Sequence, residues 1–155
     1  DVTDARSAEQ RLRRDREMLA AMVDHVPLMA GLLSESGGVL MTNRQLRKTF
    51  GYTAEDSRKH DMMELCYPDP EYREYVREHL LTASSQPFSA KAMTKFGWTV
   101  DVEWRVLRLS DGTMLCLGED VTESRKARHQ AAELEGRLRD TQRRESLGLM
   151  AAGVA

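Results

Sequence analysis

The chain has 155 residues, 31% of them charged and 41% hydrophobic, with a net charge of −2. That suits one domain of roughly 100–120 residues with helical extensions, and it leaves no basic footprint for nucleic acid. No apolar run approaches the ~18 residues of a membrane span, no signal-peptide core opens the chain, and Cys66 and Cys116 are too few for a disulfide scaffold or a zinc site. The expectation is a cytoplasmic, reduced polypeptide with no membrane segment of its own.

Residues 3–25 read as a helix. Ala5, Ala8, Leu12, Leu19, Met22 and Val26 recur at steps of three and four, with Asp15 as a polar intruder. Arg11, Arg13, Arg14, Arg16 and Glu17 flank this heptad seam, which points to coiled-coil pairing through Leu12, Leu19 and Met22. An amphipathic helix packed on its own domain is the alternative. Pro27 ends the helix.

Leu28 to Leu33 reads as a first strand, Ser36-Gly37-Gly38 as a tight turn and Val39 to Met41 as a second strand. Asn43 can cap a short helix from Arg44 to Phe50, which Gly51 ends. Thr53 with Asp56 resembles a capping box for another. Pro68-Asp69-Pro70 opens a longer helix from Glu71 to about Ala83, with Tyr72, Tyr75, Val76, His79 and Leu80 on one face.

Beyond Pro87 the period falls to two. Phe88, Ala90 and Ala92 alternate in one strand; Trp98, Val100, Val102, Trp104 and Val106 alternate in the next, after the Lys95-Phe96-Gly97 turn. Asp111-Gly112 signals a hairpin, and Thr113 to Gly118 forms the last strand, with Met114 and Cys116 on one face. Two strands, several short helices and three antiparallel strands predict an α+β fold with helices covering one sheet face.

Thr122 can cap a final helix from Glu123. Ala127, Ala131, Leu134, Leu138 and Thr141 continue a three-four seam, whereas Leu147, Ala151 and Val154 fall in a shifted phase. The heptad is therefore interrupted near Arg143 to Ser146, as where coiled coils change winding. Asp120-Val121-Thr122-Glu123 also repeats the opening Asp1-Val2-Thr3-Asp4, which suggests tandem modules that each exit into a helix.

These words resemble those of the PAS domain, a five-stranded antiparallel sensor module of bacterial signalling proteins. Gly38-Val39-Leu40 with Thr42-Asn43 is similar to its second strand and following helix. Phe50-Gly51-Tyr52-Thr53-Ala54-Glu55-Asp56 is similar to its "F-G-Y-[ST]-x-E-[DE]" word, and Asp120-Val121-Thr122-Glu123 to its terminal "D-[IV]-T-[DE]" motif. Gln142 to Ala155 resembles the start of a sensor histidine kinase's dimerisation helix, in which the phosphoacceptor histidine follows such a "G-[IV]-A" word.

The resemblance implies three parts: a linker helix (residues 1–26) after a preceding PAS-like module, a PAS domain (27–123), and a signalling helix (124–155) leading into a truncated kinase dimerisation domain. It implies a homodimeric transmitter in two-component phosphorelay signalling, whose parent is an ATP-dependent kinase acting on a response-regulator receiver domain. Asp120, Val121, Thr122 and Glu123 would form the signal-transfer motif, and Tyr72, Val76, His79, Trp98, Trp104 and Cys116 the candidate pocket for a small-molecule ligand. The seam of the paired helices would be Leu12, Leu19, Met22, Leu134 and Leu138.

Flavin members of the family use a cysteine word where this chain has Thr42-Asn43-Arg44-Gln45-Leu46. Haem members place the iron's histidine on the long helix, but Val76 stands at that position and His79 lies beyond it. Flavin and haem are therefore disfavoured, and the cofactor stays unknown. No catalytic set or metal cluster stands out, so the fragment itself is not expected to be an enzyme. The rival functions are a ligand-free dimerisation or protein-interaction spacer and a cofactor-bearing redox or gas sensor.

Overall fold

The computed structural model describes residues 1–82, 84 and 86–153, with the backbone alone at 150–153. Asp1–Asp120 and Val121–Ala155 are two separate units. The first opens with helix α1, Val2–His25, which buries no residue. Strands β1 (Met29–Leu33) and β2 (Val39–Thr42) follow, then helices α2 (Arg44–Phe50), α3 (Ala54–Lys59), α4 (Met62–Cys66) and α5 (Pro70–Thr82). Strands β3 (Phe88–Met93), β4 (Thr99–Arg108) and β5 (Met114–Asp120) complete the sheet. Ala83, expected in the long helix, lies outside the described residues.

All pairings are antiparallel, and the spatial order is β2-β1-β5-β4-β3. The last strand thus lies at the sheet's centre. Alternation in β4 turns Val100, Val102, Trp104 and Val106 inward, all buried, as the period of two predicts. Trp98 departs from that expectation: it precedes the strand, is exposed, and stacks on Phe96 at 4.9 Å between ring centroids. A residue held in the turn is not bound by the strand's alternation.

Side-chain caps set the short helices. Asn43 Oδ1 accepts from Leu46 N at 3.0 Å and starts α2. Gly51 ends it in the left-handed region at φ 78°, where the Phe96 ring occupies the space a Cβ would need. Thr53 and Asp56 form the expected reciprocal box on α3. Asp56 also holds Lys95 Nζ at 2.9 Å, and Lys95 N donates to the Phe50 carbonyl at 2.9 Å. These contacts fasten the β3–β4 turn to the α2–α3 corner.

Asn43 does more than cap. It is 3% exposed, and its Oδ1 also accepts from Ala30 N at 2.9 Å. Its Nδ2 donates to the carbonyls of Val23 (3.0 Å) and Leu28 (2.8 Å). One carboxamide therefore joins the end of α1, the segment after it, β1 and α2.

The second unit is the helix α6, Thr122–Gly153. It begins at Thr122, one residue before the expected start. At 1.5 Å per residue it is roughly 48 Å long. Leu134, Leu138, Leu147 and Leu149 are exposed on it, and ion pairs such as Glu135–Arg139 (3.9 Å) link successive turns. Val154, expected in the shifted seam, lies outside the described residues.

Two predictions follow from these contacts. Asn43→Ala should lower stability by about 3 kcal/mol, from a lost cap and unpaired buried backbone groups. Asn43→Asp keeps both accepted bonds but sets an oxygen against the Val23 and Leu28 carbonyls, so urea unfolding should show it destabilised too. Wild-type stability in that variant would mean that the two carbonyls do not depend on the amide. The second concerns acid. The Thr53 backbone bond, then Lys95, holds the Asp56 carboxyl down at about 2, against an ordinary value of 3.8. The stabilisation from Asp56 is present above about pH 4 and is lost as pH falls through 2. An NMR titration should place its midpoint near 2; a midpoint near 4 would contradict the tether.

Candidate functional site

Between the inner sheet face and the helices lies a half-open apolar cavity of about 80 Å³. Gly31 and Leu33 of β1, Val39 and Thr42 of β2, and Leu46 and Phe50 of α2 line one side. Met62, Met63, Cys66, Tyr67 and Leu80 line the helical side, and Trp104 and Cys116 the sheet. Gly31 lies at the cavity wall opposite Leu46, and Gly118 yields its side-chain space to the Trp104 indole, which a Cβ there would meet at 2.6 Å.

The walls carry little polarity. Burial pushes both Cys66 and Cys116 up to about 12, so each is a neutral thiol at pH 7. Burial first, and Cys66 next, raise the Tyr67 hydroxyl above its ordinary value. The buried Trp104 Nε1–H interacts with the Tyr67 hydroxyl, short of full hydrogen-bond geometry.

A polar cleft of about 400 Å³ adjoins this cavity. The β1–β2 turn contributes Ser36, Gly37 and Gly38; the α3–α4 region contributes Ser57, His60 and Asp61; α5 contributes Arg77. Val39, Met62 and Met63 line both spaces. Asp61 Oδ1 is engaged by Met63 N at 2.9 Å. The Arg77 Nε is buried and ion-paired with Glu74 Oε2 at 3.9 Å, beyond hydrogen-bond distance.

The candidate pocket residues read from sequence fall in different places. Trp104 and Cys116 meet in the cavity wall, and Val76 is fully buried in the core. The Tyr72 hydroxyl accepts from Lys91 N at 2.8 Å and ties α5 to β3. His79 Nδ1 lies 2.7 Å from the Tyr75 carbonyl, and its ring packs against Tyr75 and Phe88. Trp98 stays on the surface. Sequence reasoning passed over Met62, Met63 and Arg77. Asp61 ahead of an apolar pair was the available signal for the first two.

In the exit motif, Asp120 is the last residue of β5 and pairs in register with Val102. Val121 alone separates it from Thr122, the first residue of α6. Glu123 pairs with Lys126 at 3.7 Å. Leu12, Leu19 and Met22 are exposed on α1, as Leu134 and Leu138 are on α6. Among the described residues there is no group of three or more His, Cys, Asp or Glu side chains that could hold a metal ion, and no helix is long and apolar enough to cross a membrane.

No protein-family profile matches the chain, and no curated protein does. Solved structures do match. The PAS domain of an HTR-like protein from Haloarcula marismortui is 21% identical, with a TM-score of 0.63 over 74% of this chain and 98% of that one. A domain of a sensory box sensor histidine kinase/response regulator from Geobacter sulfurreducens is 18% identical, with a TM-score of 0.59 over 70% and 96%. The PAS domain of the Cronobacter turicensis RpfR quorum-sensing receptor, in complex with C12:0, is 17% identical, with a TM-score of 0.55 over 64% and 99%. What these similarities share with the chain is architecture: the five-stranded sheet and its covering helices are a PAS fold.

Proposed function

We propose that this chain is a sensory and signal-transmission PAS module of a sensor histidine kinase, in which occupancy of the core cavity biases the exit helix. One observation carries the reading. Strand β5 bears Cys116 in the cavity wall and ends at Asp120, a single residue before α6. A change at the wall thus has one short covalent route to the helix. The Cronobacter receptor domain in complex with C12:0 supports small-molecule binding by a domain of this fold.

The exposed seams of α1 and α6 support a homodimer joined through paired helices. In that arrangement residues 1–26 are the incoming linker, 27–123 the sensor and 124–155 the signalling helix. The parent would autophosphorylate on a histidine beyond this segment and pass the phosphoryl group to a cytoplasmic response-regulator receiver. The cavity's modest 80 Å³ favours a second reading, a ligand-free spacer that dimerises and transmits without sensing.

Mutation of the exit motif tests the reading. A lost helix-start contact is worth about 1 kcal/mol, which corresponds to about a fivefold shift between two signalling states. Asp120→Ala or Thr122→Ala in the full-length kinase should change autophosphorylation by about that factor while lowering the domain's unfolding midpoint by only several degrees. Unaltered autophosphorylation in both variants would contradict it.

A further inference from the structure

We propose that the core cavity is a binding site for a soft monovalent metal ion, Cu(I), held by the sulfur atoms of Met62, Met63 and Cys66. The binding stands without the sensory reading above; only its role as a signal rests on that reading. The basis is a spacing on α4. Met62 lies four residues before Cys66 and Met63 three, the two separations that bring side chains together on a helix. All three are buried, and all three line the same cavity. Cys116 adds a fourth sulfur from β5, on the sheet wall.

The donor set selects the ion. Thiolates and thioethers are soft ligands that favour Cu(I). No carboxylate or imidazole lines the cavity, so Mg²⁺ and Ca²⁺ find no oxygen cage in it. Charge then fixes the valence. Binding breaks the S–H bond of Cys66, forms an S–Cu bond and releases one proton to solvent. One thiolate and one Cu(I) make a neutral unit, which apolar walls can hold. Zn²⁺ on the same three sulfurs would leave a positive charge buried, and its usual ligands are thiolate, imidazole and carboxylate rather than thioether.

The ion also has a way in. Cys66 and Tyr67 line a surface groove of about 430 Å³ as well as the cavity, and Asp69 and Met93 stand on the groove's walls. Cys66 therefore separates the surface from the interior, with the Met93 thioether as a soft donor on the approach. The 80 Å³ of free volume holds a metal ion as it stands. Methionine side chains are unbranched and change rotamer readily, so the thioethers can close on the ion without moving the backbone.

Anaerobic titration of the whole chain with Cu(I), buffered by a competing chelator, tests the assignment. A single ion should bind and quench the fluorescence of Trp104, read in a Trp98→Phe background that leaves one tryptophan. Cys66→Ser should weaken binding by about a hundredfold or more, and the volume-conserving pair Met62→Leu with Met63→Leu by about tenfold. Cys116→Ser should stay within about threefold of wild type. Excess Zn(II) should not displace the Cu(I), and displacement would overturn the choice of ion. Binding unchanged by Cys66→Ser or by the methionine pair, or lost equally in Cys116→Ser, would overturn the ligand set. Absence of binding would overturn the site, while entry of octanol at Trp104 would still leave the sensory cavity standing. Bound Cu(I) with unaltered autophosphorylation of the full-length kinase would uphold the site and contradict its role as a signal.

Discussion

The side chain of Asn43 is the constraint on which the rest depends. Its carboxamide accepts from Ala30 N and Leu46 N and donates to the Val23 and Leu28 carbonyls. Each is a backbone group at the end of an element, where helices and strands leave donors and acceptors unpaired. Because one planar group meets all four, the end of α1, the start of β1 and the start of α2 cannot be placed independently. Thr42 and Leu46, on either side of Asn43, then face the core and become two walls of the cavity. The position of the cavity follows from satisfying the backbone at its edge.

The interior balances packing against vacancy. Met29, Val76, Val102 and Met114 are almost completely buried, while Gly31 and Gly118 withhold side chains where the cavity opens and where the Trp104 indole lies. The buried Arg77 Nε and Trp104 Nε1 are held only loosely, by Glu74 and Tyr67. Topology gives leverage to a change at the cavity wall. Strand β5 lies between β1 and β4, so both halves of the sheet are hydrogen-bonded to the strand from which the chain leaves.

Much of this was legible in the chain itself. The period of two in β4, the Asn43 cap, the Thr53–Asp56 box and the glycine ending α2 are local signals, and local hydrogen bonding realises each of them. The short α4 was not foreseen, because five residues are too few to show a helical period. The further partners of Asn43 lie up to 20 residues away and leave no local trace. Arg77 carries no local signal that sets it apart from the other charges on α5. Only the folding of the β1–β2 turn and the α3–α4 region around it makes a cleft. Trp104 and Trp98 read alike in sequence, yet one is core and the other surface, since the strand begins between them.

Hydrogen exchange at the start of α6 tests the coupling most directly. Amides of residues 122–126 report the free energy of opening that first helical turn. With octanol as an apolar probe, its entry shown by a shifted Trp104 indole resonance, exchange there should change together with exchange along β5. A moved Trp104 resonance with unaltered exchange at residues 122–126 would mean that the cavity binds without signalling, and would contradict transmission through β5.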